Sequence, residues 1–291
     1  MSASSTPGTV LLIGGTGKVG SRVAPLLHAA NIPTLVASRS GSAPTGLVGV
    51  KFDWDDQATW DPIFANHSIK AVLLVEPGAP DQPQKMKALI DLARTKGGAS
   101  RFVLLSASSI EEDGVLMGKT HRYLHELGDA GEVEWAVLRP TWFNENFIAI
   151  HRFSINGENK IYSATGSGRI PWVSTADIAA VGFHALTSPQ PPNRDFVILG
   201  PELLSYSDVA EIFTSVLGRK IVYHELTEAE LSARIRSFGI AAEYAGVLAA
   251  MDTAIKNGSE DRTNDIVKSV TGNEPQRFRD FVEANKQVWM P

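Results

Sequence analysis

Gly14-Gly15-Thr16-Gly17-Lys18-Val19-Gly20 is the stretch that most restricts how this chain can fold. It follows the apolar run 10–13 and leads into a helix-like pattern over 18–30. Glycines at 14, 17 and 20 suit a strand that turns sharply into a helix. A side chain at the early glycines would hold off a pyrophosphate, and one at the last would wedge the helix off the sheet. The helix N-terminus then offers N–H groups and partial positive charge to an anion. A second strand is predicted over 34–37, and its end selects the nucleotide. An acidic residue there would accept from a ribose 2′-hydroxyl. Ser38-Arg39-Ser40 stands there instead, and Arg39 can pair with a 2′-phosphate while the serines donate to it. Gly14, Thr16, Gly17, Lys18, Val19, Ser38, Arg39 and Ser40 are therefore read as an NADPH-binding set.

Further strands are predicted at 48–52, 71–75, 102–105 and 134–138, alternating with helices near 56–66, 82–96 and 117–129. Several of the strands are apolar throughout, as strands buried on both faces are. The expected fold class is α/β: a Rossmann-type doubly wound parallel sheet with a smaller, mostly helical C-terminal substrate lobe. The boundary is set between a core of 9–143 and a lobe of 144–291, packed as a single compact unit. In the lobe, strands are predicted at 161–163, 172–173, 196–199 and 221–225, and helices at 175–187, 206–217, 227–238, 241–257 and 275–286. Ligands of open α/β sheets bind beyond the strand ends, so the lobe is expected to roof the nicotinamide.

Composition narrows the partners. The net charge is −5, without a long basic run, which argues against nucleic acid. No apolar stretch reaches membrane-spanning length and no signal peptide is visible, so a cytoplasmic protein without a membrane partner is expected. Residues 1–8 are small and polar and are expected to fray. There is no cysteine, which removes thiolate catalysis and cysteine-based metal sites. His121 and His125 have i, i+4 spacing but no third ligand in sequence, and no metal is expected. A homo-oligomer is left open.

Each strand end supplies candidates. Asp53 and Trp54 follow the third strand, where Asp53 either accepts from the adenine amino group or opens a helix with Asp55 and Asp56. Val75-Glu76-Pro77 falls on the adenosine side. Ser106-Ala107-Ser108 falls near the nicotinamide, with Ser106 toward the cofactor and Ser108 toward the substrate. Pro140 and Thr141 offer backbone groups to the carboxamide edge. Asp177 reads as a helix-start residue.

The glycine turn followed by Arg39 resembles the NmrA-like branch of the atypical short-chain dehydrogenases. Within it, the chain is similar to the fungal ergot-alkaloid reductases of the festuclavine and agroclavine type. The likeness rests on VASRS (36–40), KFDW (51–54), FVLLSAS (102–108), Met117-Gly118-Lys119, LRPTWFNENF (138–147), IYSATGSGRIPWVS (161–174), GPELLSYSDVAEIFTSVLGRK (200–220) and residues 251–262. The resemblance implies NADPH-dependent reduction of a cyclic iminium derived from chanoclavine-I aldehyde, a small-molecule alkaloid precursor. None of the five tyrosines has Lys four residues later, so the usual Tyr-x-x-x-Lys dyad is missing. That dyad protonates the oxygen formed in carbonyl reduction. Hydride addition to an iminium yields a neutral amine and needs no simultaneous proton, so positioning becomes the main demand.

Trp142, Phe143, Tyr162 and Trp172 can wall a fused indole, and an aromatic face attracts a cation by roughly 0.5–2 kcal/mol. Glu145 can neutralise that cation. The other reading of Trp142, Phe143 and Phe147 is core packing. Lys119 can donate to ribose hydroxyls, and His121 or Tyr123 can relay a proton. Residues at i and i+2 do not share a helix face, however, and surface placement is the other reading. Two further functions stay open: an NADPH-dependent quinone or enal reductase, and a non-catalytic NADP-sensing regulator.

Overall fold

The computed structural model describes residues 8–76 and 82–290. The fraying expected before Gly8 and the placement of Pro77 lie outside the described residues. In chain order the first elements are β1 (Thr9–Leu12), α1 (Gly20–Ala29), β2 (Thr34–Ser38), β3 (Val48–Lys51), α2 (Asp61–Asn66) and β4 (Ile69–Leu74). Next come α3 (Gln82–Thr95), β5 (Arg101–Leu105), α4 (Met117–Asp129) and β6 (Glu134–Pro140). Then follow α5 (Asn146–Ala149), α6 (Arg152–Glu158), β7 (Lys160–Ser163), α7 (Thr175–Thr187) and β8 (Arg194–Ile198). The chain closes with α8 (Tyr206–Leu217), β9 (Val222–Glu225), α9 (Glu228–Ser237), α10 (Ala242–Lys256), α11 (Ile266–Thr271) and α12 (Phe278–Ala284).

The chain divides into two compact units. The first unit holds Met1–Pro140 and Thr175–Ile198, the second Thr141–Ser174 and Leu199–Pro291. The physical reason is pairing. Strand β8 pairs in parallel with β6 and brings α7 back to the first unit, while β7 pairs with β9 in a separate two-stranded sheet.

In the first unit seven parallel strands run in the order β3-β2-β1-β4-β5-β6-β8. Order reverses between β1 and β4, the place where open α/β sheets take ligands. Helices α1 and α7 pack together on one face, with α2, α3 and α4 on the other. Val72, Phe102, Leu104, Met86, Leu89 and Trp135 belong to the main core, which explains the continuous apolar runs of the central strands. The expected helix 18–30 begins only at Gly20, because residues 17–19 are spent on the turn. The expected helix 56–66 is interrupted: Asp56 caps one 3-10 turn, and α2 then starts with Pro62 in its first turn.

The second unit surrounds an aromatic core of Phe147, Trp172, Tyr206, Phe213, Phe278 and Trp289. Helices α8 and α9 each begin with a reciprocal cap, Ser205 with Asp208 and Thr227 with Glu230. The strand expected at 172–173 is a single parallel bridge between Phe143 and Val173. Helices α5, α6 and α11 were not anticipated; α5 and α11 are too short for a periodic signal.

Candidate dinucleotide site

Gly14 has φ +74°, and a Cβ there would lie 2.8 Å from Cβ of Val75. Both the backbone and the neighbouring strand β4 therefore demand glycine. At Gly20 a Cβ would approach the Gly14 carbonyl to 2.5 Å and Gly15 Cα to 2.6 Å, so this glycine lets α1 close onto the turn. Gly17 is exposed, and a Cβ there would meet only the Gly14 carbonyl, at 3.1 Å. That leaves an open concavity above the turn. Among the described residues the N–H groups of Thr16 and Val19 have no backbone acceptor, so the turn presents donors where an anion can sit.

Arg39 is exposed at the end of β2, with no ion-pair partner among the described residues. Ser38 donates to the Ser42 carbonyl (2.8 Å), and the hydroxyls of Ser40 and Ser42 are 2.5 Å apart. Ser106, at the end of β5, is 7% exposed; its N–H goes to the Leu138 carbonyl (2.7 Å) and its hydroxyl has no partner among the described residues. A glycine turn, an exposed arginine and a buried hydroxyl at the strand ends fit a dinucleotide. Asp53 is committed to its own loop: its carboxylate accepts from Asp55 N–H (3.0 Å), and its carbonyl accepts from the Trp60 indole (2.7 Å). Trp54 packs edge-on to Phe52 and Trp60. Val75 abuts Gly14, as above. Glu76 follows it, one carboxyl oxygen buried without a partner among the described residues, and burial pushes the group up to about 7.

Lys119, His121 and Tyr123, with Ser106 the candidates for the chemistry, do not share one environment. Lys119 and Tyr123, four apart on α4, share the groove toward α3, a surface depression of about 260 Å³ also lined by Lys87. Lys119 pairs with Asp113 (2.7 Å) and is exposed. The Tyr123 hydroxyl donates to Asp91, and burial with that carboxylate pushes the phenol up to about 12. His121 turns inward instead, 3% exposed, its ring 5.5 Å from Trp135. Burial holds it below the ordinary histidine range. His125 is bound to Glu112 (2.9 Å). Beside them lies Arg139, a buried cation on β6 that sequence reasoning passed over. It donates to Asp195 (2.8 Å), Glu111 (2.5 Å) and the Ser108 carbonyl (3.3 Å). Ser108 N–H in turn holds the Pro140 carbonyl (2.8 Å). The one sequence signal was a charge inside an otherwise apolar strand.

The substrate candidates belong to the second unit, apart from Ser108. Trp172 is 1% exposed within the aromatic core, and Trp142 packs against the same cluster half-buried. Phe143 is half-buried at its bridge with Val173. Glu145 is buried, and Thr141 donates to the buried Glu260 carboxylate (3.1 Å). Tyr162 lies on the outer face of β7, under the Arg234 guanidinium (3.8 Å from the ring centre), with its hydroxyl on Glu158 (2.5 Å).

Residues 14–189 match the model of a family described as NAD(P)H-binding. The chain belongs to the NmrA-like NAD(P)H-binding family. Among its relatives, "Festuclavine synthase II" of Penicillium roqueforti is 45% identical over 97% of this chain and 99% of that protein. "Agroclavine dehydrogenase" of Claviceps fusiformis is 43% identical with the same coverage of both. A triphenylmethane reductase from Citrobacter sp., solved with NADP(H), has the same fold at a TM-score of 0.77 and 19% identity, covering 97% of this chain and 99% of that one. This family member is an oxidoreductase that uses a nicotinamide dinucleotide. No helix among the described residues is long and apolar enough to cross a membrane.

Proposed function

We propose that the enzyme uses NADPH to reduce a cyclic iminium, formed when chanoclavine-I aldehyde condenses with its own secondary amine, to a clavine of the festuclavine or agroclavine type. The nearly full-length likeness to a festuclavine synthase and an agroclavine dehydrogenase carries this reading. The geometry favours C=N over C=O as the acceptor. Carbonyl reduction needs a proton at oxygen, yet the Tyr123 phenol is held by Asp91 and is a poorer acid than a free tyrosine. When bound, the dihydronicotinamide supplies the hydride. The glycine turn seats the pyrophosphate, Arg39 takes the 2′-phosphate, and the Ser106 hydroxyl is free to orient the cofactor at the end of β5. The demand on the protein is then positioning. Substrate presentation is assigned to Trp142, Phe143 and Glu145.

The test is NADPH oxidation with chanoclavine-I aldehyde against a panel of quinones. Turnover with the aldehyde, retained to within about twofold in Tyr123→Phe and Lys119→Ala, supports the reading. A loss of about 100-fold in Tyr123→Phe, with NADPH affinity intact, would show that an acid is required. Tight NADP binding without turnover of any acceptor would mark a sensor instead.

A further inference from the structure

Helix α10 carries an acid in its interior. Asp252 is 6% exposed, and its carboxylate accepts the Ala164 N–H (2.8 Å) and a hydrogen bond from Ser163. The Ser163 hydroxyl lies 2.7 Å from that of Thr165. Among the described residues no cation pairs with Asp252: nearby Lys256 is taken by Glu225 (2.9 Å) and Arg234 by Glu158 (3.3 Å). Burial pushes the carboxyl up to about 6, so it is still largely ionised at neutral pH. A buried carboxylate without a counter-charge weakens a fold, and two hydrogen bonds do not exhaust its acceptor positions.

Its surroundings are aromatic. Tyr206 is close enough for the carboxylate to raise its phenol, and it stacks on Tyr223 (5.8 Å). The Tyr223 hydroxyl donates to the Ser163 carbonyl (3.3 Å). Trp172 meets Tyr206 edge-on at 5.4 Å and Phe147 at 4.9 Å. Among the described residues the same unit leaves two buried polar side chains unmet: the Trp172 indole N–H and both ends of the Asn144 amide, on residues 1% and 0% exposed. The Phe143–Val173 bridge puts Trp172 and Asn144 on one side, since side chains alternate along such a pairing.

We propose that Asp252, beside Tyr206 and the Tyr223 stacked on it, is the counter-ion that seats the cationic nitrogen of a flat polycyclic ligand, while the Trp172 N–H and the Asn144 amide meet its polar groups. The ligand's chemical class rests on the iminium reading; its charge follows from the lobe alone. A carboxylate next to aromatic faces is a site at which an ammonium or iminium gains both charge pairing and ring attraction.

The test is calorimetric binding at pH 7 to the full chain loaded with NADP. The ligands are agroclavine, as a protonated amine, and its lactam analogue, whose nitrogen carries no charge. Asp252→Asn is expected to weaken the amine by about tenfold or more and the lactam by less than about twofold, with NADPH affinity unchanged. If Asp252→Asn fails to fold, Ser163→Ala replaces it, with an expected loss of about threefold for the amine only. Equal losses for both ligands, unaltered amine binding, or no amine binding by the wild type would each overturn the assignment. The iminium reading fails separately, if the wild type binds the amine but does not oxidise NADPH with the aldehyde.

Discussion

In the parallel-sheet unit, polar residues gather at strand ends: Ser38 and Arg39 after β2, Asp53 after β3, Ser106 after β5. Arg39 is exposed, Ser38 and Asp53 are half-buried, and the Ser106 hydroxyl is unmet among the described residues. In the second unit the polar residues lie inside: Asn144, Ser163, Thr165, Asp252 and Glu260 are all at most 6% exposed. The difference follows from how each unit is built. Apart from the buried Arg101 and Arg139, the central parallel strands are largely apolar, so ligand groups come mainly from where the strands stop. The second unit has only the two-stranded sheet of β7 and β9. It collects its polar groups from the loop before α5, from β7 and the loop after it, and from α10 and the loop after it, and Asp252 meets Ala164 across 88 residues of chain.

The contrast can be broken most forcefully by truncation in the lobe core. Phe147 is wholly buried among Trp172, Tyr206, Phe213 and Phe278. Phe147→Ala is expected to cost about 3–5 kcal/mol in denaturant unfolding. A cost under about 1 kcal/mol would mean that this cluster does not hold the unit together. Next comes the glycine turn. Gly20→Val forces atoms into the Gly14 carbonyl and should cost about 1–3 kcal/mol and remove NADPH binding. Gly157→Ala in α6, where a Cβ meets nothing within 4 Å, should leave both stability and binding intact. Equal effects of the two would dissolve the distinction between a functional glycine and a tolerated one.

Arg39→Ala sharpens the contrast at the cofactor. NADPH affinity should fall about 10- to 100-fold and NADH affinity by less than about twofold, measured by fluorescence titration. Equal losses would remove the 2′-phosphate from the assignment. The smallest effect is expected at Glu76. Its folded pKa, about 7, lies above the ordinary 4.5, so the folded protein holds a proton that the unfolded chain releases between those values. This contribution to stability is complete below about pH 4.5 and disappears as pH rises through 7. Glu76→Gln should therefore match the wild type in Tm near pH 4 and exceed it by about 2 °C or more at pH 8. A difference that does not change with pH would show that the carboxyl is already solvated.

Much of the first unit was legible in the chain. Apolar runs bounded by glycine and polar residues marked six of its seven strands in the correct order of elements, and β8 was found but assigned to the lobe. Arg39 could be read because its position after a strand is itself the signal. Tyr123 and Lys119 could not be sorted: helical spacing puts them on one face, but only packing shows that this face meets α3 and Asp91. Tyr162 and Ser163 are sequence neighbours on opposite faces of β7, and the aromatic one of the pair drew attention although it faces Arg234. Trp172 reads equally well as wall or core until its neighbours are known.

By itself, the amino-acid order determined the alternation of strands and helices, the sharp glycine turn and the exposed charge after β2, because each depends on residues within one turn or one strand. Tertiary structure alone decided that 175–198 returns to the sheet, that Arg139 is clasped by Asp195 and Glu111, and that Asp252 lies buried without a cation. Those outcomes depend on which distant segments exclude water from one another, and local spacing carries no record of that.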